Sequence, residues 1–533
     1  MRNIEEVENL KYFILQNYLY DSKLPPIFRT KKLSENLIKF NLINDLSKDK
    51  FKPVKISIPK KNSRERRVIS IPHPLNYLEL SKFIIDNWEK IEERLRFSDI
   101  SISKIQNISS EKNQVRLISK KEKFDEKIIR FSARNKILLK TDISKFYSSI
   151  YTHSIAWAIH DKDQFKEIMR NKKINNNDYW GHKLDSLIIG ISEKQTKGIL
   201  TGPFTSEIIS EIILSQIDFE LKSKFKEIEG FRYVDDYYLF FKNKDEAEIV
   251  LSLLREILYK YELELNYDKT KILDIPVELD DSWKFEINQM DIIDFSEKQS
   301  IQIKNYFEKL FKLAKKFPED SVLKYGILKI NEKRISKENW YLVESYLLQS
   351  INLDSRTLPE IITYLLNKFY SRYVEINLEN ISRTLNNNLN EYISNNFTSE
   401  IIWTLFVFYN FKIRIKEEYS LKLIKNENPI ILIMLLYLEK ENLTKINKED
   451  IMLNKNPSDD WLLFNEVWNN ESLKISTKYK PENSFSKFMK KYKINLIDMD
   501  YLKNQIEKEL LDEDIEEIDI GEIITPTKHN YEP

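Results

Sequence analysis

The 533-residue sequence contains no cysteine and only five histidines, and each shortage excludes a class of chemistry. Without cysteine, the chain can form no disulfide, no thiolate zinc site and no cysteine nucleophile. The histidines are His73, His153, His160, His182 and His529. Because they are few and scattered, they argue against a histidine-rich metal centre and against an HNH-type nuclease at the C-terminus.

An excess of charge and a long apolar run are also missing. Lys and Arg total 85 and Asp and Glu total 84, so any surface for a polyanion must be local. The longest apolar run, from Pro429 to Leu438, is roughly half as long as a bilayer-spanning helix. We predict that this run is a buried helix with Asn428 as N-cap. We also expect a cytoplasmic protein without a membrane partner, because the acidic N-terminal segment does not resemble a signal peptide.

The pattern of the sequence changes near residue 300. Before it, strand-like and helix-like segments alternate: residues 54–72 predict two strands joined by a polar turn, and residues 204–221 predict a helix. After it, apolar helix cores recur between polar connectors, which is typical of an irregular α-solenoid. We therefore predict an α+β domain over residues 1–300 and an α-helical repeat domain over residues 301–533 that ends in an acidic tail.

The stretch FRYVDDYYLFFKN places Asp235 and Asp236 between two runs of aromatic and β-branched residues, as in a β-hairpin. Taken alone, the pair is best interpreted as an acidic turn. Upstream, Asp142 directly follows the apolar strand ILLKT, where its alternative role is a helix N-cap. Together they supply carboxylates at the ends of two strands. Mg²⁺ prefers one or two protein carboxylates completed by phosphate oxygens.

The order of these segments resembles the motifs of reverse transcriptases over about residues 50–290. LKTDISKFYSSI is similar to motif A, TGPFTS to motif B, RYVDDYY to motif C and LNYDKTK to motif D, while RERRVISIPHP resembles the preceding fingers segment. The resemblance implies a right-hand polymerase fold with fingers, palm and thumb. One departure stands in motif B, where Leu200-Thr201-Gly202 replaces the usual Pro-Gln-Gly; a plain loop-to-helix junction capped by Thr205 or Ser206 explains this segment equally well.

The resemblance also implies roles for individual residues. Asp142 and Asp235 would bind two Mg²⁺ ions, for which Mn²⁺ could substitute, and Asp236 would assist them. Tyr147 matches a steric gate that selects dNTPs over NTPs, although a core aromatic is the alternative. Arg67 would grip the triphosphate, Gly202 would let the backbone approach the substrate closely, and Lys269 would donate a proton to pyrophosphate. The remaining basic residues of this segment are either helpers in substrate binding or solvated turn charges: Lys60, Lys61, Arg64 and Arg66.

A narrower resemblance is to the abortive-infection (AbiK-like) reverse transcriptases of bacterial antiphage defence. It rests on DISKFYSSIYTHSIAWAIH, with an extension from Tyr151, and on SEIIWTLFVFYNFKIRI in the helical half. It implies a HEAT-like helical domain, DNA synthesis primed by a protein tyrosine without a template, and a homo-oligomer, either trimer or hexamer. Tyr18, Tyr20 and Tyr151 remain open as priming residues, and His153 and Trp157 are expected to be structural.

Three other functions are alternatives to this one. A related defence enzyme could copy a non-coding RNA, so that RNA as well as dNTPs and DNA would be a partner. An RNA-directed RNA polymerase is disfavoured by Tyr147 and by the YVDD sequence. A polymerase relic that only binds nucleic acid is disfavoured by the intact set of Asp142, Asp235 and Asp236.

Overall fold

The structure is a computed structural model of the chain. It describes residues 14, 24–30, 32–33, 35–36, 51–60, 65–103, 108–109, 114–115, 122–170, 179–277, 282–453, 455–457, 459–473, 475 and 484–512.

The described residues form eight strands and twenty-two α-helices, numbered here in chain order. The strands are β1 (Val54–Pro59), β2 (Arg66–Ile71), β3 (Ile108–Ser109), β4 (Gln114–Val115), β5 (Ile137–Asp142), β6 (Glu229–Tyr233), β7 (Asp236–Phe241) and β8 (Lys271–Asp274). The first nine helices are α1 (Pro74–Asp86), α2 (Trp88–Leu95), α3 (Glu122–Ser132), α4 (Phe146–Ser149), α5 (Thr152–His160), α6 (Lys162–Arg170), α7 (Trp180–Ile191), α8 (Phe204–Lys224) and α9 (Lys244–Lys260). The others are α10 (Trp283–Asn288), α11 (Gln299–Lys316), α12 (Val322–Asn331), α13 (Trp340–Leu353), α14 (Leu358–Tyr370), α15 (Leu378–Ser394), α16 (Thr398–Asn410), α17 (Glu417–Leu423), α18 (Pro429–Lys440), α19 (Lys448–Met452), α20 (Trp461–Asn469), α21 (Ser484–Lys491) and α22 (Tyr501–Asp512).

One compact unit comprises the described residues of segments 1–19, 30–53 and 70–279. Its centre is a four-stranded antiparallel sheet with the strand order β6-β7-β5-β8. In β5, the consecutive residues Ile137, Leu138 and Leu139 are all buried. Since neighbouring side chains of a strand point to opposite faces, both faces of this strand are covered. Helix α9 packs against β5 and β7, and α3 packs against β7.

The aromatic residues around the paired aspartates are sheet packing, as predicted. Phe231, Tyr238 and Phe240 are buried against Phe124 of α3, and the rings of Phe231 and Tyr238 stack with centroids 5.2 Å apart. The strand after residue 136 and the helix from Phe204 are also confirmed. The helix begins at Phe204 without a side-chain cap, so the capping role considered for Thr205 or Ser206 is wrong.

The second unit comprises the described residues of segments 20–29, 54–69 and 280–533. From residue 282 onward, every helix or strand that the structure describes is a helix. The apolar run predicted to be a buried helix is α18: Asn428 is its N-cap and accepts a hydrogen bond from the Ile430 N–H at 3.0 Å. No helix in the described ranges combines the length and apolar character that crossing a bilayer requires.

The predicted β1–β2 hairpin is confirmed, and most of it belongs to this helical unit. The Ser57 N–H donates to Thr398 Oγ1 of α16 at 2.6 Å, and Asn428 Nδ2 donates to the Lys55 carbonyl at 2.8 Å. Arg66 Nη1 and Nη2 reach the two carboxylate oxygens of Glu400 at 2.6 and 2.7 Å. The hairpin is therefore fastened to the first turns of α16 and α18 by charged and polar contacts.

Candidate active site

The register of the sheet brings the two acidic motifs together. In the antiparallel β5–β7 pair, Asp142 lies directly opposite Asp236. Asp235 occupies the two-residue loop that joins β6 to β7, after Val234. The predicted hairpin is confirmed, and it brings Asp235 and Asp236 to the same end of the β5–β7 pair as Asp142, which is distant from them in the sequence.

Burial and mutual repulsion perturb this cluster. Asp142 is 4% exposed, and its Oδ1 atom is buried without a hydrogen-bond partner among the described residues. Burial, reinforced by the negative charges of Asp236 and Asp142, raises the pKa of Asp235 to about 8. Each effect disfavours the ionised carboxylate, and a nearby cation would relieve both.

These residues fit a divalent cation whose coordination is completed by substrate. The buried, unpartnered oxygen of Asp142 is a hard ligand of the kind that Mg²⁺ prefers. In the part of the chain that the structure describes, no three His, Cys, Asp or Glu side chains converge on one metal position. An ion held here would therefore complete its coordination with water or with substrate phosphates, as Mg²⁺ usually does.

Tyr147 is held beside the carboxylates by α8. Its hydroxyl lies 3.5 Å from Ser210 Oγ, and its carbonyl accepts a hydrogen bond from the Ile199 N–H at 2.8 Å. Burial, followed by the charge of Glu207, raises the pKa of Tyr147, so the phenol is neutral near pH 7. The adjacent Phe146 is 3% exposed and is a core aromatic residue.

Gly202 precedes α8 and has a backbone φ of +115°. This conformation is open to glycine and unfavourable for residues with a Cβ atom. The neighbouring Thr201 carbonyl accepts a hydrogen bond from the Ser70 N–H at 2.8 Å. The glycine therefore serves a backbone turn that brings the start of α8 next to the end of β2.

Lys269 reaches the acidic cluster and forms an ion pair and hydrogen bond with Asp142 Oδ2. Burial lowers the pKa of Lys269. The hydrogen bond and charge of Asp142, together with the charges of Asp236 and Asp235, raise it by more, so the net shift of this pKa is upward. The alternating run LELNY before Lys269 predicts a strand, and this prediction is wrong: Leu265 makes only an isolated bridge to Ile143, and Lys269 ends a 3₁₀ helix, Tyr267–Lys269.

The predicted basic residues of the β1–β2 hairpin have different environments. Arg67 and Lys60 are exposed and belong to the second unit, while Lys61 and Arg64 lie outside the described residues. Arg66 is not a solvated turn charge, because its guanidinium pairs with Glu400 and lies 4.2 Å from the Phe397 ring centroid. Its role within the described structure is to anchor the hairpin.

The extension after motif A packs as a structural element. His153 Nδ1 lies 2.5 Å from Asp185 Oδ2 on α7, and the Trp157 ring packs against Tyr151 at 5.5 Å between centroids. These contacts agree with the structural role expected for His153 and Trp157. Of the three candidate priming residues, Tyr151 is half-buried, and Tyr18 and Tyr20 lie outside the described residues.

Sequence reasoning missed a buried charge network beneath the acidic loop. Arg232 of β6 is fully buried and pairs with Glu211 and Asp218 of α8. The available signal was chemical: an arginine stands inside an aromatic strand, and Glu211 and Asp218 each stand next to a buried isoleucine of α8. Buried charges require partners, so an ion pair between this arginine and these carboxylates could have been predicted.

Comparison with known proteins gives one family match. The family model described as reverse transcriptase (RNA-dependent DNA polymerase) matches residues 58–326, about half of the chain. The solved structure of apo telomerase from Candida tropicalis is similar at 13% identity and a TM-score of 0.32, covering 76% of this chain and 73% of that chain. Telomerase from Candida albicans with a fragment of telomeric RNA is similar at 14% identity and a TM-score of 0.28, covering 79% and 68%. No curated protein matches the sequence.

Proposed function

This chain belongs to the reverse transcriptase family of RNA-directed DNA polymerases, which are nucleotidyltransferases, and on that premise we propose that its acidic cluster catalyses metal-dependent DNA synthesis. The observation that carries the proposal is the β5–β7 register, which sets Asp142 opposite Asp236 with Asp235 in the adjoining loop. The buried, unpartnered Oδ1 of Asp142 supports it, because that atom is a ligand position without a protein partner in the described structure.

The residues divide the chemistry among them. Asp142 and Asp235 would hold the divalent ions, with Asp236 assisting; such ions stabilise the attacking and leaving oxygens of an in-line displacement. In the reaction a primer hydroxyl gives its proton to solvent water and its oxygen bonds to the α-phosphorus of a dNTP, while the bond from that phosphorus to pyrophosphate breaks. Lys269, protonated at neutral pH, would give a proton to pyrophosphate, and the Tyr147 ring would exclude a ribose 2′-hydroxyl.

Further substrate contacts remain proposals from the motifs. Arg67, with Lys60 and Lys61, would hold the triphosphate, and the turn at Gly202 would let the backbone approach the nascent pair. The exposure of Arg67 and Lys60 is compatible with binding an anion. Basic side chains provide the sequence-independent part of nucleic-acid and nucleotide affinity.

At a finer level, we propose a bacterial abortive-infection type of enzyme in the cytoplasm. The support is the motif resemblance from Asp142 to His160 and in SEIIWTLFVFYNFKIRI, together with the helices that follow residue 282. The proposal includes a boundary near residue 300, HEAT-like packing of residues 301–533, priming by a tyrosine and assembly into a homo-oligomer, trimer or hexamer. Templated copying of an RNA is the second candidate, favoured by the RNA-dependent activity that the family description names.

One assay separates these candidates. Purified protein is incubated with a labelled dNTP and Mg²⁺ or Mn²⁺ and then denatured. Protein priming predicts label on the protein band without added nucleic acid, whereas label that requires added RNA or primer supports templated copying. The double variant Asp235→Ala/Asp236→Ala should lose incorporation and keep its circular dichroism spectrum. Incorporation that persists in this folded variant would refute the proposed active site. Wild-type protein that incorporates no dNTP with or without added RNA and primer would instead leave the nucleic-acid-binding relic as the better description.

A further inference from the structure

The loop that carries Asp235 has an unusual backbone. Val234, the residue before it, has a φ of +52°, in the left-handed region. A β-branched residue rarely adopts this conformation, because its Cβ substituents crowd the backbone. Such a conformation persists only where surrounding contacts determine it.

Two hydrogen bonds hold Val234 from opposite sides. Its N–H donates to Ser103 Oγ at 2.6 Å, and its carbonyl accepts from Arg232 Nη1 at 2.8 Å. Both backbone polar groups of the residue before Asp235 are therefore satisfied. The peptide units on either side of Val234 cannot rotate without breaking one of these bonds, so the contacts restrict the direction in which the Asp235 side chain leaves the loop.

Arg232 is itself fixed by α8. Its Nη2 lies 2.8 Å from Glu211 Oε1 and 2.7 Å from Asp218 Oδ2, and its side chain is fully buried. The Tyr237 hydroxyl donates to Asp218 Oδ1 at 2.9 Å and so ties β7 to the same carboxylate. A planar guanidinium that is bound on several edges has one orientation, unlike a flexible ammonium.

The same helix also orients the predicted gate. Ser210, which precedes Glu211, has its Oγ 3.5 Å from the Tyr147 hydroxyl. One rigid turn of α8 thus contacts both Tyr147 and, through Arg232, the Asp235 loop. A shift of this turn would move the gate and the loop together.

We propose that Glu211, Asp218 and Arg232 are positioning residues that, with Ser103, hold the strained Val234–Asp235 loop and aim the Asp235 carboxylate at the metal position beside Asp142. The inference rests on the proposed function, because it assigns these residues a role in binding the ion that Asp142 and Asp235 would share. The competing explanation is that the network only stabilises the fold, as buried ion pairs do elsewhere.

The test measures binding of Mn²⁺ alone, by electron paramagnetic resonance, before any measurement of activity. The variant Asp218→Asn keeps the size of the side chain and removes its charge. Supporting residues of a metal site typically contribute about 10- to 100-fold to metal affinity or activity. We expect Asp218→Asn to weaken Mn²⁺ binding and lower kcat for dNTP incorporation by about that factor, with little change in the KM for dNTP.

The matched control is Asp185→Asn, since Asp185 is also buried, at 1% exposure, and also ion-paired, but with His153 outside this network. It should bind Mn²⁺ as the wild type does. A folded Asp218→Asn protein that melts at a lower temperature but binds Mn²⁺ like the control overturns the positioning role. If Asp218→Asn does not fold, the same Mn²⁺ measurement is made on Ser103→Ala. Weaker binding than in the wild type supports the proposal, and unchanged binding overturns it.

A further variant keeps the two proposals distinguishable. Asp142→Asn should abolish the Mn²⁺ binding that the wild type shows. If Asp142→Asn leaves binding unchanged, the proposed function fails and the positioning role fails with it. If Asp142→Asn abolishes binding while Asp218→Asn does not weaken it, only the positioning role fails.

Discussion

Replacing Arg66 by methionine would leave the Glu400 carboxylate buried without its cation. The wild-type pair is bidentate, with Arg66 nitrogens 2.6 and 2.7 Å from the two Glu400 oxygens. The Glu400 side chain is 1% exposed and that of Arg66 is 16% exposed. Arg66 also donates to Ser57 Oγ at 3.0 Å, so the same substitution removes this contact with β1.

The structure sets the size of the effect. Removing one partner of a buried ion pair costs about 3–5 kcal/mol, because the remaining charge stays desolvated. Ser355 Oγ and Ser399 Oγ donate to Glu400 at 3.0 and 2.7 Å and would continue to stabilise the carboxylate. We therefore expect Arg66→Met to lower the free energy of unfolding by about 3 kcal/mol, the lower end of that range. The double variant Arg66→Met/Glu400→Gln should lose less, since no charge is then left buried.

Urea unfolding of the full chain, followed by circular dichroism, measures these differences. Arg383→Met is the matched control, because Arg383 pairs with Glu379 on the exposed face of α15, with side chains 71% and 83% exposed. An exposed pair of this kind contributes about 0.3–0.5 kcal/mol. The reasoning is refuted if Arg66→Met costs no more than Arg383→Met, or if the double variant is less stable than the single one.

Two further predictions concern the first unit. Tyr147→Val should reduce the preference for dNTPs over NTPs by at least about tenfold, while Tyr147→Phe, which keeps the ring, should preserve it. The measurement is kcat/KM for a dNTP divided by kcat/KM for the matching NTP, and the same value of this ratio in both variants would exclude a steric gate. The hydrogen bond from His153 to Asp185 raises the pKa of His153 above 6.5, with burial opposing it and the charge of Asp185 adding to it. The pair therefore stabilises the fold fully below pH 6.5 and loses this contribution as pH rises through the folded pKa. Asp185→Asn should remove that part of the pH dependence in thermal melts, and an unchanged profile would contradict the assignment.

Local patterns predicted much of the fold around the site. The apolar run before Asp142, the aromatic runs around Asp235 and the segment after Gly202-Pro203 indicate their own secondary structure, because periodicity and turn residues act within a few positions of the chain. Asn428 and Pro429 likewise predict the start of α18, since an N-cap bonds to the adjacent helical turn. The ion pair of Lys269 with Asp142 was not predictable in this way, because it depends on how residues 263–270 cross the end of β5.

What the sequence determined by itself is therefore the identity and order of the reactive residues: Asp142 at the end of one strand, Asp235 and Asp236 in a hairpin, and an aromatic residue at 147. Only the tertiary structure decided which charges meet. It paired Arg232 with two carboxylates of α8, and it fastened Arg66 to Glu400, 334 residues away. The physical reason is that secondary structure follows from short-range sterics and hydrogen bonds, whereas the partner of a buried charge is set by packing between elements that are distant along the chain.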